Sequence, residues 1–270
     1  ERRSLAFGIV SAGGSFGMFI FMPVTHWLLD AFEWRLALVG LAAIVATVIL
    51  FAAGIRGDAR AEREAGEAQS LGQAMREAGR HSGFWLLTVG YFVCGFHVSF
   101  IGTHLPAFLT DSQIPSSTAA WSLSLIGFFN ILGSIAFGSA GGRYRRKYVL
   151  SVLYGVRSCV IALFVLLPVT ETTAILFGAA MGFLWLGTVP LTTGLVAQIF
   201  GLRHLSMLNG VVFMSHQIGG FLGAWLGGYA FDTFGSYDAV WLIAIGLGIF
   251  AVVIHLPITD RPLRGETARA

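Results

Sequence analysis

The sequence predicts an all-α polytopic membrane protein, and three observations carry that expectation. Long apolar stretches recur through 270 residues whose mean hydropathy is +0.76 and of which only 11% are charged. The basic residues gather in alternate loops between those stretches. The first helix pair recurs later in the chain at a fixed offset.

The apolar stretches are residues 5–27, 35–55, 83–108, 119–139, 148–168, 172–196, 210–231 and 239–257. Each is close to the roughly 17–25 residues that a helix needs to cross the hydrocarbon core. Barrel strands would be shorter and would alternate in polarity, which these stretches do not. With both ends of the chain inside, only Arg35 and Arg157 of the 17 Lys and Arg residues fall outside the inner regions. This is the positive-inside bias, and it places the chain in a cytoplasmic membrane with both ends cytoplasmic. The basic pI of about 9.1 is then a topology signal and gives no support to nucleic-acid binding.

A shift of 202 residues lays the first stretch on the seventh. Gly8 meets Gly210, Gly17 meets Gly219, Phe19 meets Phe221, Asp30 meets Asp232 and Phe32 meets Phe234, without a gap. The offset spans six helices. That is the signature of two halves related by an axis along the membrane normal. The expected organisation is residues 1–55 as the last two helices of a first six-helix bundle, 56–82 as a cytoplasmic linker, 83–258 as a complete second bundle and 259–270 as a cytoplasmic tail. Four helices are expected upstream. Within the linker, part of residues 62–80 has the mixed charge of a surface helix.

Near the start, Arg2-Arg3-Ser4-Leu5-Ala6-Phe7-Gly8 is followed by Ala12-Gly13 and Gly17. This resembles the fifth helix of the monocarboxylate-transporter branch of the major facilitator superfamily. That motif has a basic pair, then Leu-Ala-x-Gly, then Ala-Gly-x-x-x-Gly. Residues 138–147, from Gly138 through Arg143, Arg145 and Arg146 to Lys147, look like the second copy of the superfamily's inner-loop motif. Gly142 stands in place of its Asp, which puts the charge relay of that Asp in doubt here. Gly187-Thr188-Val189-Pro190 and Ser215-His216-Gln217 are similar to bacterial carriers of the same branch. The resemblance implies eight of the twelve helices of the superfamily fold, alternating access between two bundles, and a small organic anion as solute. It implies no cofactor. An efflux carrier for drugs is the alternative within the superfamily, and there Met18 replaces the Pro of the antiporter pattern.

The deep polar residues are the candidates for chemistry. Arg157 lies about 15 Å along its helix from Lys147 and is the one cation placed well inside an apolar stretch. It is either a carboxylate clamp or a buried Arg bonded to backbone carbonyls, and on the ninth helix the resemblance makes it peripheral. His97 and His216 are the only mid-stretch groups that titrate near neutral pH, so they are the candidates for coupling to protons. Trp185, Thr188 and Thr192 share one helical face beside Pro190, which predicts a polar, bendable wall. Asn130 pairs with Ser134 one turn on, and Gln217 is the remaining deep amide. Glycines at four-residue spacing, among them Gly138/Gly142, Gly178/Gly182, Gly219/Gly223 and Gly223/Gly227, are expected to let helices approach closely. Cys94 and Cys159 sit in apolar stretches without a neighbouring Cys or His cluster, as small core residues with neither disulfide nor metal. The sequence Gly13-Gly14-Ser15-Phe16-Gly17 matches a serine-nucleophile pattern, but it lacks the preceding strand that an intramembrane hydrolase of that kind would need.

Overall fold

The computed structural model describes residues 2–32, 34–52, 71–202 and 204–263. The linker residues 53–70 and the tail residues 264–270 lie outside the described residues. So do the side chains of the fifth-helix motif, including Arg2, Arg3 and Ser15.

Among the described residues there are ten helices and no strand. The first pair is α1 (Arg2–Ala31) and α2 (Trp34–Ala52). A short α3 (Leu71–Gly79) realises the expected surface helix and buries Ala74 and Ala78 against the bundle. The remaining helices are α4 (Ser82–Asp111), α5 (Ser116–Arg143), α6 (Arg146–Leu166), α7 (Glu171–Leu184), α8 (Thr188–Phe200), α9 (Leu205–Phe234) and α10 (Asp238–His255). Seven of the predicted stretches fall on a single helix each over most of their length, with residues 53–55 outside the described residues, and the stretch 172–196 is divided between α7 and α8. The helices α4, α5 and α9 run 28 to 30 residues, beyond their apolar stretches, because the ladder of backbone hydrogen bonds continues into the polar interface.

Among the described residues, five spans are long and apolar enough to cross a membrane: α4, α5, α6, α10 and the combined Glu171–Phe200. Helix α9 is as long, but Ser215, His216, Gln217 and its many glycines dilute its hydropathy. Apolar parts of the first pair, Phe16–Ala31 and Trp34–Thr47, are shorter.

The helices from α4 onward pack as one bundle. Its most extensive contact is between α4 and α9, followed by α5 with α7 and α10 with α6. Helix α1 lies on α5, where Ser124 Oγ donates to the Phe19 carbonyl at 2.6 Å and the Phe19 and Phe128 rings meet at 5.4 Å. One apolar cluster is aromatic, built on Phe100, Phe164, Phe177 and Trp241. The other is mostly aliphatic, with Leu150, Leu153, Leu191, Leu195 and Val212.

Glycine makes the tight contacts possible at particular positions. A Cβ on Gly219 would strike the Phe92 carbonyl, and one on Gly223 the Phe96 carbonyl, so α4 and α9 touch backbone to backbone. Across from α7, a Cβ on Gly178 would come within 2.5 Å of the Ser122 carbonyl, and one on Gly182 within 2.7 Å of Ile126. The pair Gly138/Gly142 differs from expectation. Gly142 has nothing within 4 Å among the described residues and Gly138 meets only the Pro190 ring at 3.9 Å, because the face packed closely on α8 here is that of Gly141, whose Cβ would meet Leu191 at 2.7 Å.

Gly219→Ala and Gly223→Ala will therefore each destabilise the bundle by about 1–3 kcal/mol, the usual cost of forcing extra volume into a packed contact. Gly142→Ala will be neutral or slightly stabilising, since helix propensity favours Ala by about 0.5–1 kcal/mol. Thermal unfolding in detergent reads both outcomes.

Candidate functional site

The site is built around a break. Helix α7 ends at Leu184 and α8 begins at Thr188. Pro190 contributes, since it has no N–H for the carbonyl of Leu186 four residues earlier, but proline alone does not break a helix here, because α1 and α4 run on through Pro23 and Pro106. A break inside an apolar bundle frees backbone groups that neither water nor lipid can satisfy. Here two side chains supply the missing partners. Arg157 Nη2 donates to the carbonyl of Leu184 and, at 2.7 Å, to that of Trp185. Asn130 Oδ1 accepts the Leu186 N–H at 2.9 Å. Both side chains are buried, Arg157 completely. A cation at the carbonyl end of α7 also complements the helix dipole.

This geometry favours the backbone-bonded reading of Arg157. The guanidinium stacks over the Tyr154 ring at 5.4 Å, while its Nε and Nη1 are buried without a partner among the described residues. The predicted single face of Trp185, Thr188 and Thr192 requires correction. Trp185 caps α7 and Thr188 opens α8, so the turn between them is not helical. All three are nonetheless buried, and Thr192 Oγ1 has no partner among the described residues.

Several of the other candidates gather near the break. Cys94 Sγ lies 3.1 Å from Thr188 Oγ1, with Arg157 and His216 within electrostatic reach of the sulfur. His97, fully buried, places Nε2 2.8 Å from the Ala244 carbonyl. His216 stands with its ring 4.9 Å from that of Tyr91 and its Nδ1 3.2 Å from Gln217 Oε1. Gln217 itself is exposed. Ser134 donates to Asn130 Oδ1 at 3.4 Å, as the spacing suggested. Cys94 is fully buried, as the core position expected of it, and its sulfur meets the Thr188 hydroxyl. Cys159 is exposed, contrary to the core position expected of it.

At the basic end, the turn between α5 and α6 carries a second constellation. Arg145 grips Asp260 through both carboxylate oxygens, at 2.6 and 3.0 Å. Arg146 Nη1 donates to Gln198 Oε1 at 2.5 Å, and Gln198 Nε2 donates to the Asp260 carbonyl at 2.7 Å. Lys147 Nζ caps the end of α10, donating to the carbonyls of Leu256 at 2.9 Å and Ile258 at 2.8 Å. Arg143 is exposed, and Gly138 takes no part in these bonds. Asp260, from beyond α10, thus brings a carboxylate to this turn. Sequence reasoning passed over Asp260, Gln198 and Tyr154. The nearest signal for Asp260 was an acid beside Pro262 directly after an apolar stretch.

The Arg145 hydrogen bonds hold the Asp260 carboxyl below the usual carboxylate range. A carboxyl depressed on folding contributes stability above its unfolded value, and that contribution is lost as pH falls through the folded value.

Packed apolar helices, five spans of them long enough to cross a membrane among the described residues, define a polytopic membrane protein. The family comparison is explicit. The profile of the Major Facilitator Superfamily matches twice, over residues 1–188 and 87–270, and the chain belongs to that superfamily. It is 30% identical over 269 residues to "Monocarboxylate transporter 13" of Bos taurus, covering 94% of this chain and 61% of that protein. Against "Monocarboxylate transporter 12" of Mus musculus the identity is 25%, over 94% of this chain and 59% of the relative. It is also 25% identical to "Uncharacterized MFS-type transporter YcxA" of Bacillus subtilis (strain 168), over 98% of this chain and 67% of that protein. The chain spans about three fifths of the length of the monocarboxylate transporters it matches. These relatives are named as transporters, and Ser15 lies within the continuous helix α1 rather than on a strand-to-helix turn.

Two outcomes follow for stability. Arg157→Gln leaves the carbonyls of Leu184 and Trp185 short of donors, at about 1–3 kcal/mol for each buried group left unpaired. Its thermal midpoint will fall below that of Arg157→Lys, which keeps a donor and the charge. Separately, Asp260→Asn will lower the thermal midpoint at neutral pH. It will also flatten the decline in stability that the parent protein shows on acidification, measured by thermal unfolding across an acid pH series.

Proposed function

We propose that the protein to which this chain belongs is a secondary transporter that moves a small organic anion of the monocarboxylate class across the cytoplasmic membrane. Movement is by alternating access between two six-helix bundles and is coupled to protons. Residues 83–258 form the second bundle, 1–55 the end of the first and 56–82 the link between them. The basic end faces the cytoplasm.

The observation that carries this reading is the break at Trp185–Gly187. Transporters build solute sites near the bilayer midplane from discontinuous helices. Here Asn130 bonds the break directly, Thr188 and Thr192 follow it on α8, and His97 and His216 are buried on the neighbouring helices α4 and α9. In this reading those groups, with Trp185 and Gln217, line or border the pathway. Arg157 holds the broken backbone from behind and sets a positive potential that favours an anion. The names of the monocarboxylate relatives and the fifth-helix motif support the solute class. The inner clasp of Arg145, Arg146 and Lys147 with Gln198 and Asp260, beside Gly138 and Arg143 of the same motif, is the element that resets as the bundles rock.

Uptake by the full-length protein in proteoliposomes tests this. Saturable uptake of a labelled short-chain monocarboxylate, accelerated by an inward proton gradient, is the expected result. Replacing both His97 and His216 with Gln will flatten the pH profile while solute exchange continues. Export of lipophilic cations without any carboxylate flux would overturn the proposal.

A further inference from the structure

Helix α1 runs on through Pro23, and this leaves one of its carbonyls without a donor in its own helix. In an α-helix the N–H of each residue bonds the carbonyl four residues earlier. Pro23 has no N–H, so the Phe19 carbonyl loses that partner. Neither lipid nor an apolar interior can replace it. The replacement comes from another helix. Ser124 Oγ, on α5, donates to the Phe19 carbonyl at 2.6 Å. Ser124 is completely buried.

Apolar packing closes around this bond. The Phe19 ring meets that of Phe128, one turn on from Ser124, at 5.4 Å. Met18 and Met22 of α1 pack against the aromatic cluster built on Phe100 and Trp241. The bond lies about 12 Å along α5 from its start at Ser116 and about 28 Å from its end at Arg143, beside the basic turn. Ser124, Phe128, Leu132 and Ile135 follow one another on one side of α5. That side is buried at Ser124, whereas Leu132 and Ile135 are 45% and 60% exposed. The side of α5 that α1 covers at Ser124 is therefore uncovered nearer the basic end.

We propose that Ser124 is a latch between the two bundles, closing the end of the molecule opposite the basic turn. This rests on the reading above that α1 ends the first bundle and α5 belongs to the second. A hydroxyl bonded to an ordinary helical carbonyl adds little, because that carbonyl already has an N–H. Here Ser124 is the donor that Pro23 withholds. Closing the seam satisfies the Phe19 carbonyl, and opening the seam uncovers it. Water that enters the opened seam can bond both the carbonyl and the hydroxyl, so neither state is left with an unpaired polar group. Pro23 thereby ties the closed state to one side chain of the opposite bundle. The same helix α5 accepts the Leu186 N–H through Asn130, so the helix that latches α1 also holds the α7–α8 break.

The test needs no solute. Spin labels are attached to the full-length protein at Ala31→Cys and Ser117→Cys, exposed positions at the neighbouring ends of α1 and α5. The background lacks other accessible cysteines, Cys159→Ser included, and label separations are measured in lipid nanodiscs. Ser124→Ala is expected to raise the ratio of wide to close separations about fivefold, the effect of one hydrogen bond. Pro23→Ala returns an N–H to the Phe19 carbonyl and favours helix, so it keeps α1 intact. In that background Ser124→Ala is expected to move the ratio by less than about twofold, because the two sites are coupled through one carbonyl. Loss of packing alone would act equally in both backgrounds. A ratio unmoved by Ser124→Ala, a single separation in every variant, or an equal shift with and without Pro23 overturns the latch. Absence of carboxylate uptake in a protein that shows the coupled shift would sink the solute assignment and leave the latch standing.

Discussion

Everything around the polar interior depends on one constraint, the need to satisfy a broken backbone where water cannot reach. The helix over residues 172–196 breaks just before Pro190, and the carbonyls and N–H groups the break frees lie inside an apolar bundle. Arg157 from α6 and Asn130 from α5 meet those groups directly. Each is otherwise costly at that depth. The break makes them necessary, and they in turn hold the break in one geometry. A kink without them would be free to repack, and an Arg without the kink would have no carbonyls to bind.

The same logic operates at the basic end. The superfamily-like turn lacks its acid at Gly142, yet its arginines are not idle. Arg145 finds Asp260, Arg146 finds Gln198, and Lys147 closes the end of α10. The residues after the last helix are thereby strapped to the turn between α5 and α6 and to the end of α8, where the Leu263 N–H also bonds the Ile199 carbonyl at 3.0 Å. Between these ends, the backbone contact of α4 with α9 at Gly95, Gly219 and Gly223 sets how His216 meets Tyr91. Small residues here act on chemistry at one remove, by deciding which side chains become neighbours.

Much of the fold was legible because a membrane reduces it to a one-dimensional problem. Apolar length marks the spans, and basic loops mark one side. The four-residue glycine spacing correctly marked the α4–α9 and α5–α7 contacts, but it misled at Gly138/Gly142. A glycine pair reports that two helices can approach, and whether a partner is there depends on the bundle. The site was legible as a set of types rather than as an arrangement. Arg157, Asn130, His97, His216 and Thr188 stood out as polar residues in apolar stretches.

The sequence alone determined the class, the helices and the point of weakness at Pro190, since each of these follows from local composition along a single segment. Tertiary structure decided the partners. Arg145 and Asp260 are separated by 115 residues, and Arg157 by 27 and 28 from the carbonyls it binds. Helical periodicity fixes which residues share a face, but not how each helix is rotated against the next. That rotation comes from the packing of whole surfaces, so it decides which buried donor meets which buried acceptor.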